Sequence, residues 1–315
     1  MEISVIIPVF NAEPFIRKAA ESAVYQAEVT EIILVEDNSE DESLRICKKL
    51  EKEYEKIHLL RHQDEKNHGA GATRNLGIKN SGNNLIAFLD ADDFYLPNRF
   101  TVACELFKKS KDIDGVYEAI GTYYYKSNVE KIQILKMNQL TTLKKKIEPG
   151  ELFYALARGN LGSLSLDGLT VKKNIFEKYG YFDESLKLHQ DSNWMIQMSS
   201  YAKLVPGRLS YPVAMRGIHG KNRSIYNENI INTKTLARRA LFNWGYNEKL
   251  SSKKMKLLFY NYFLYLYLSA KRNKNLPCIK NRELKIFLKE ICKHPILSLS
   301  AVFQYISRKQ FLYRN

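Results

Sequence analysis

Short apolar runs alternate with helix-like segments along the first 90 residues, and this alternation constrains the fold more than any other feature. The runs 3–9, 31–35, 57–60 and 85–89 are rich in β-branched and other apolar residues. Because they are continuously apolar rather than alternating, they are typical of strands buried on both faces of a parallel sheet. We therefore predict an α/β fold with a mostly parallel central sheet and helices on both faces.

Polar loops follow three of these predicted strands. They are the segments 8–11, 36–39 and 90–93. In open α/β sheets, ligands bind in the crevice beyond the carboxyl ends of the strands. The three loops should therefore converge on one binding crevice.

The loop after the run 85–89 carries three carboxylates within four residues, Asp90, Asp92 and Asp93. Carboxylates this close repel each other, whereas a hard divalent cation such as Mn²⁺ or Mg²⁺ takes oxygen ligands and bridges them to phosphate. This pattern indicates a metal site. The alternative is a polar strand end that caps the next helix ahead of Pro97.

Three further residues suit the parts of a nucleotide. Asn11 and Asp37 are short polar side chains at strand exits that could hydrogen-bond a base or sugar, and Asp37 could accept the imide N–H of a uracil. Arg74 follows Gly69 and Gly71 at the start of a predicted helix, a setting that suits phosphate. The alternatives are turn-forming side chains at residues 11 and 37 and a surface arginine on an amphipathic helix.

The formal charge of +15 is unevenly distributed along the chain. Residues 221–315 hold 20 Lys and Arg against 4 Asp and Glu, whereas the first 220 residues are nearly neutral. A basic region with few acids favours an anionic partner, either nucleic acid or an anionic membrane surface.

Several features indicate a protein of a reducing compartment that does not span a membrane. The four cysteines have no metal-ligand or disulfide spacing, and residues 1–5 lack the basic segment of a secretory signal. The longest apolar stretch, 255–270, falls short of the roughly 18 to 20 residues needed to cross a bilayer. We expect a cytoplasmic protein.

Taken together, the motifs resemble glycosyltransferase family 2, whose members are inverting, nucleotide-sugar-dependent enzymes with a GT-A fold. The resemblance covers about residues 1 to 225 and rests on the segments 5–11, 31–39, 69–77, 88–93, 180–191 and 216–224. Two departures are Asn38, where the family usually has a glycine preceded by two acids, and Gln190, where it usually has a glutamate.

The resemblance implies a role for individual residues. Asp191 would be the general base that deprotonates the acceptor hydroxyl. Asp92 would contact the metal directly, with Asp90 in the same Asp-X-Asp element. Beside these, His219 is a candidate for a further metal ligand. The residues implied to bind the nucleotide-sugar are Pro8, Val9, Asn11, Asp37, Arg74, Asp90, Ala91, Asp92 and Asp93.

Two of these roles, those of Asp191 and His219, have structural alternatives. Asp191 could instead cap a helix, and His219 could be a surface histidine in a glycine-rich turn or a contact to the diphosphate. Arg223 and Ser224 are weaker candidates in the same closing segment. Trp194 could stack on an acceptor sugar, although core packing is more typical of a Trp in an apolar helical pattern.

We predict two domains, a GT-A catalytic domain over 1–225 and a helical, basic region over 226–315. In the second, basic clusters flank the aromatic-rich segment 257–268, a composition typical of a helix in the headgroup region of a membrane. The segments 284–292 and 296–306 could extend that surface. The alternative for the apolar stripe is packing against the catalytic domain.

The sequence therefore predicts an inverting, metal-dependent glycosyltransferase. Its donor would be a nucleotide-diphosphate sugar, with UDP favoured by the resemblance, and its acceptor a glycan or lipid-linked glycan. Such an enzyme would act in lipopolysaccharide, capsule or exopolysaccharide synthesis, peripherally on the cytoplasmic face of the inner membrane. The alternatives are an inactive nucleotide-binding relative, a sugar-phosphate nucleotidyltransferase, and a nucleic-acid-binding protein that uses the basic tail. The nearly neutral charge of the first 220 residues disfavours nucleic acid.

Overall fold

The computed structural model of the protein describes residues 1–125, 140–220, 222 and 229–272. The chain divides into two compact units, Met1–Arg223 and Ser224–Asn315. The catalytic and membrane-associating roles assigned to these two parts of the sequence remain predictions. Arg223, Ser224 and the apolar segments 284–292 and 296–306 lie outside the described residues.

The first unit alternates strands and helices, as the sequence predicts. Its elements are β1 (Ile3–Val9), α1 (Ile16–Val24), β2 (Val29–Glu36), α2 (Ser43–Glu53), β3 (Ile57–Arg61), α3 (Ala70–Asn80), β4 (Leu85–Phe88), β5 (Phe94–Tyr95), α4 (Thr101–Lys109), β6 (Gly115–Tyr117), β7 (Ile120–Tyr124), α5 (Pro149–Arg158), the 3₁₀ turn Leu166–Gly168, β8 (Leu169–Lys172), α6 (Asn174–Tyr179), α7 (Gln190–Met198), β9 (Leu204–Pro206) and β10 (Ala214–Ile218).

The strands form a central sheet in the order β3-β2-β1-β4-β8-β6-β9 and a small sheet in the order β5-β10-β7. The four strands from β3 to β4 are parallel, whereas β8 is antiparallel to both of its neighbours. This arrangement confirms the predicted α/β fold with a mostly parallel central sheet.

The segment 115–125 contributes strands to both sheets. The structure divides the segment into β6 and β7, which belong to different sheets. Between them, the N–H of Glu118 donates to the carbonyl of Gly168 and the N–H of Ala119 donates to that of Arg208. These two bonds belong to neither sheet ladder, so the chain changes sheet there.

Alternate residues of β1 face two different cores. Ile3, Val5 and Ile7 pack with α1, α2 and α4 on one face of the sheet. Ile6 packs on the other face with residues of β2, α3 and α7. Burial on both faces explains why the run is apolar at every position except Ser4, since neither set of side chains meets water.

Close packing of α3 on the sheet predicts opposite effects for two glycine substitutions. A Cβ added at Gly77 would lie 2.6 Å from Ile6 Cγ2, whereas one added at Gly150, in α5, meets no atom within 4 Å. Overpacking costs about 1 to 3 kcal/mol, and replacing a helical glycine gains up to about 1 kcal/mol. In urea denaturation, Gly77→Ala should lower the free energy of unfolding and Gly150→Ala should raise it slightly. A Gly77→Ala variant as stable as wild type would contradict this packing.

The described part of the second unit contains two helices, α8 (Ile230–Asn247) and α9 (Ser252–Arg272). Phe242 of α8 contacts both Phe259 and Tyr262 of α9, at ring-centroid distances of 5.5 and 6.0 Å. At the other end of the pair, Ser269 Oγ donates to Asn232 Oδ1 at 2.6 Å. Within the described residues, no helix is both long enough and apolar enough to span a membrane.

Candidate functional site

The carboxyl end of β4 meets the first turns of α3 through a buried ion pair. Arg74 Nη2 donates to Asp90 Oδ1 at 2.5 Å, and the guanidinium is almost fully buried. Burial opposes the charged form, but the carboxylates of Asp90 and Asp191 outweigh it and raise the pKa of Arg74. Its other two nitrogens, Nε and Nη1, have no hydrogen-bond partner among the described residues. A buried cation with unused donors at this edge suits an anion.

Asp92 lies against the loop that follows β10. Its Oδ2 is 2.9 Å from His219 Nε2 and accepts a hydrogen bond from Asn222 Nδ2 at 3.1 Å. Asn222 also accepts from the backbone N–H of His219 at 2.6 Å, and the ring of Phe15 stacks on His219 with centroids 4.4 Å apart. The structure thus brings together two predicted metal ligands, Asp92 and His219, which are far apart in the sequence.

Two buried carboxyl groups, those of Asp93 and Asp167, lie beside Asp90. The side chains of Asp93 and Asp167 hydrogen-bond to each other, and Asp167 Oδ1 accepts from the backbone N–H of Asp90 at 3.0 Å. Burial raises the pKa of Asp167 to about 6, and the charge of Asp90 adds to the rise. Burial, together with the facing Asp167, raises the pKa of Asp93 well above its ordinary value. The pair therefore retains a proton at a pH where exposed carboxyl groups have lost theirs.

The raised pKa of Asp167 predicts a pH-dependent effect of Asp167→Asn on stability. The folded protein binds this proton more tightly than the unfolded chain, whose Asp pKa is about 3.9. The stability contributed by the group is therefore lost as pH rises from about 4 to the folded pKa of about 6. In melting experiments with EDTA, the melting temperature of Asp167→Asn should rise relative to that of wild type as pH increases through that window. A difference in melting temperature that does not change with pH would contradict this prediction.

An ion pair in the interior supports the backbone of Asp167. Arg99 Nη1 donates to Glu118 Oε2 at 2.9 Å, and both side chains are buried. Arg99 Nε donates to the carbonyl of Asp167 at 3.0 Å. Arg99 thus links the Glu118 carboxylate to the backbone of Asp167, and this link fixes the turn that carries Asp167.

The nucleoside residues predicted from the sequence lie at the ends of the first two strands. In the register of β1 and β2, Pro8 pairs with Val35 and Val9 with Glu36, so the strands end side by side. Asp37 follows β2, is buried, and accepts from the backbone N–H groups of His68 and Gly69, both at 2.8 Å. Asp37 therefore holds the loop that leads into α3.

Asn11 connects the loop after β1 with the loop after β2. Its backbone is in the left-handed region, with φ of 51°, and its Oδ1 accepts from the N–H of Glu40 at 2.8 Å. The N–H of Asn11 donates to Ser39 Oγ at 3.0 Å. Asn11 and Asp37 thus both stabilise turns, which is the alternative role that the sequence allowed for them. Their role in binding a nucleoside remains a prediction.

Asp191 lies in the first turn of α7, after His189, whose φ is 68°. Its carboxylate is near enough to Arg74 to raise the pKa of the guanidinium, which brings the predicted base toward the carboxylate loop. Trp194, on the same helix, is buried against Phe176 with ring centroids 4.8 Å apart. The structure therefore assigns Trp194 to the core rather than to an acceptor surface.

The side chains present suit a divalent cation of the Mg²⁺ or Mn²⁺ kind. Ligand atoms of Asp90, Asp93 and Asp167 lie within 4.8 Å of one another, and Asp92 with His219 forms a neighbouring pair. Carboxylate oxygen is the preferred ligand of both metals, and a single imidazole is compatible with Mn²⁺. The predicted set Asp90, Asp92 and His219 is thus distributed over two adjoining groups.

Sequence reasoning did not find two residues of the site, Asp167 and Asn222. A signal for Asp167 was present, since it is a lone acid in the apolar segment 164–171 and charged residues are rarely buried there without a partner. Asn222 lies in the closing segment 216–224 that was recognised as a unit. Its contact with Asp92 depends on tertiary structure that spacing alone does not show.

Comparison with solved structures agrees with the observed architecture. The chain superposes on Staphylococcus aureus TarS, residues 1–349, in complex with UDP-GlcNAc with a TM-score of 0.61 and 18% sequence identity. The match covers 90% of this chain and 78% of that one. At this level of identity, the similarity defines the fold, which is GT-A.

Sequence comparison gives the family. A family model described as "Glycosyl transferase family 2" matches residues 4–163. Glycosyltransferase GlyA of Streptococcus pneumoniae is 28% identical over 211 residues, which are 59% of this chain and 30% of the relative. The poly(ribitol-phosphate) beta-glucosyltransferase of Bacillus spizizenii is 39% identical over 97 residues, which are 30% of this chain and 15% of the relative.

The family model covers about half of the chain, including the first two strands, the glycine-rich loop and the carboxylate loop. The chain belongs to glycosyltransferase family 2. It spans less than a third of the length of either curated relative named above.

Proposed function

We propose that the protein is an inverting glycosyltransferase that moves a sugar from a nucleotide-diphosphate sugar to a hydroxyl group of a glycan. The observation that carries the proposal is the Arg74 guanidinium. It is buried between Asp90 and Asp191, with Nε and Nη1 lacking partners among the described residues. A diphosphate would supply the missing acceptors and balance the charge.

The proposed donor is a UDP-sugar. Asp37 and Asn11 lie at the strand ends where a nucleoside would bind, and each carboxylate oxygen of Asp37 has capacity for a further hydrogen bond. The TarS structure named above contains UDP-GlcNAc, a UDP-sugar. UDP is therefore the first carrier to test, with Pro8, Val9 and Ala91 as additional contacts.

We propose that Asp90, Asp92, Asp93 and His219 hold the cation, with Asp167 behind them. When bound, a divalent cation neutralises the negative charge that develops on the departing diphosphate. Arg74 adds a fixed positive charge on the same side, and the hydrogen bond from Asn222 orients the Asp92 carboxylate. These side chains are thus suited to hold the leaving group.

Asp191 is the proposed general base. Its carboxylate accepts the proton of the acceptor hydroxyl while that oxygen forms a bond to the anomeric carbon of the donor. The bond between this carbon and the diphosphate oxygen breaks on the opposite side, so the sugar is transferred with inversion. The nucleoside diphosphate leaves, and the proton remains on Asp191 until it exchanges with water.

A surface glycan is the proposed acceptor class. The name of the Bacillus spizizenii relative assigns it a poly(ribitol-phosphate) acceptor, which is a polyanion. A lipid-linked glycan or a lipopolysaccharide, capsule or exopolysaccharide chain would present the same type of hydroxyl. An anionic acceptor would also be attracted by the positive charge of residues 221–315.

Calorimetry tests the donor and metal assignments together. UDP, GDP, CDP and dTDP are titrated into the full chain with Mn²⁺, with Mg²⁺ and with EDTA. We expect saturable binding of UDP that requires metal and is weaker for the other nucleotides. Metal-dependent binding that favours GDP would indicate a GDP-sugar as the donor instead. If none of the four nucleotides binds, the proposal is contradicted.

A peripheral contact with an anionic membrane is proposed for the basic region. Lys253, Lys254 and Lys256 cluster at the start of α9, and each basic residue near an anionic surface contributes about 1 kcal/mol. The full chain should therefore co-sediment with vesicles containing phosphatidylglycerol, less so at high salt, and not with neutral vesicles. Equal binding to both types of vesicle, or to neither, would contradict the proposal.

A further inference from the structure

Adjacent residues of α3 serve two different parts of the site. Arg74 reaches the carboxylate loop through Asp90, whereas Asn75 turns toward the segment 182–191, which ends at Asp191. Asn75 is buried, with 2% of its surface exposed. The helix therefore forms a common frame for the proposed leaving-group side and the proposed base.

Asn75 pairs with the backbone of Phe182 in both directions. Its Nδ2 donates to the Phe182 carbonyl at 2.9 Å, and its Oδ1 accepts from the Phe182 N–H at 3.0 Å. This pairing resembles one rung of a strand ladder. It gives both backbone groups of the buried Phe182 a hydrogen-bond partner.

The second N–H of the Asn75 amide is also used. Nδ2 donates to Glu184 Oε1 at 2.9 Å, two residues beyond Phe182. An amide side chain has two donors and one acceptor oxygen, so these three bonds use both of its N–H groups and its oxygen. A residue of another type cannot reproduce this set at the same position.

A second contact, one turn earlier on α3, holds the far end of the same segment. A Cβ added at Gly71 would lie 3.4 Å from both the Asp183 carbonyl oxygen and Gln190 Cγ. The helix backbone thus packs closely on residues at both ends of 183–190. Asp191 follows directly in the first turn of α7.

We propose that Asn75 is a positioning residue that sets the place of Asp191 relative to the carboxylate loop. The proposal rests on the role of Asp191 in the proposed function. Asn75 itself touches neither Asp191 nor the carboxylates in the contacts described above, and it acts by fixing the segment that leads to the base. A misplacement of about 1 Å can cost about 100-fold in rate.

The test separates the rate of transfer from donor binding. Asn75→Ala and Asn75→Asp are compared with wild type for kcat of transfer, KM of the donor and Kd of UDP with Mn²⁺. Asn75→Asp keeps the acceptor for the Phe182 N–H but places a carboxyl oxygen against the Phe182 carbonyl and Glu184 Oε1. The melting temperature of each variant is therefore measured first, to verify that it is folded. We expect kcat to fall about 10- to 100-fold in both variants, with KM and Kd within about threefold of wild type.

Glu184→Ala is the matched control, because it removes the third bond of Asn75 and leaves both bonds to Phe182. Its kcat should stay within about threefold of wild type. Unchanged kcat in Asn75→Asp, or a parallel loss of UDP affinity, would overturn the proposal. If wild type binds no UDP, the proposed function fails instead, so the two failures are distinguishable.

Discussion

Replacing Asp191 with asparagine is expected to reduce transfer by about 100- to 10,000-fold while leaving UDP binding nearly intact. A positioned general base contributes a factor of this size, and an amide cannot accept the proton of the acceptor hydroxyl. Asp191 lies in the first turn of α7, and its side chain is half-buried, so the isosteric change should not disturb packing. The loss should appear in kcat and not in the donor KM.

The measurement is transfer to an acceptor found by screening, with the Kd of UDP determined in parallel. Asp112→Asn serves as the control, because Asp112 is exposed and pairs with Lys203 away from the carboxylate loop. It undergoes the same chemical change and should keep wild-type activity. An Asp191→Asn variant with wild-type kcat would remove Asp191 from the role of base.

Replacing Asp92 with asparagine is expected to weaken metal-dependent UDP binding at least about 10-fold, and to reduce transfer further. Loss of even an outer partner of a metal ligand costs about 10- to 100-fold in affinity, and Asp92 is proposed as a direct ligand. Asparagine retains the shape and can still contact His219 and Asn222, which both lie within 3.1 Å of Oδ2. The change therefore removes charge rather than structure.

Mn²⁺ binding followed by electron paramagnetic resonance measures this effect without turnover. Wild type should bind Mn²⁺ more tightly when UDP is present, and Asp92→Asn should lose most of that gain. Asp112→Asn is again the matched control. Wild-type Mn²⁺ and UDP affinity in Asp92→Asn would contradict the proposed metal role of the residue.

The parallel half of the fold could be predicted from the sequence because strands buried on both faces require long apolar runs. In β1 every residue except Ser4 is apolar, and the polar residues that follow each strand indicate where it ends. Those ends share one edge of the sheet, so the meeting of Asp90 with Arg74 follows from topology. Asp92 and His219 were each named as candidate metal ligands, but their contact depends on the loop that follows β10.

The remaining part of the site depends on the antiparallel part of the sheet. Asp167 reaches the carboxylate loop because β8 pairs with β4 in the opposite direction, which places the turn before β8 beside the end of β4. Local pattern does not specify that direction. The break between β6 and β7 has the same origin, since it follows from pairing with two different sheets.

Asn75 shows a further limit of local reasoning. In the sequence it is one polar residue in a glycine-rich helix start, and turn or surface roles would explain it equally well. Its importance comes from bonds to Phe182 and Glu184, more than a hundred positions away in the chain. Only the folded chain brings these residues together.

Nucleotide release from a panel of UDP- and GDP-sugars, measured with Mn²⁺, Mg²⁺ or EDTA and without acceptor, shows whether the protein is a metal-dependent glycosyltransferase. We predict slow, metal-dependent release from one or a few UDP-sugars, since water can replace the acceptor hydroxyl at a low rate. Lack of release from every donor, together with lack of metal-dependent nucleotide binding, would contradict this prediction and favour an inactive relative or a nucleic-acid-binding protein.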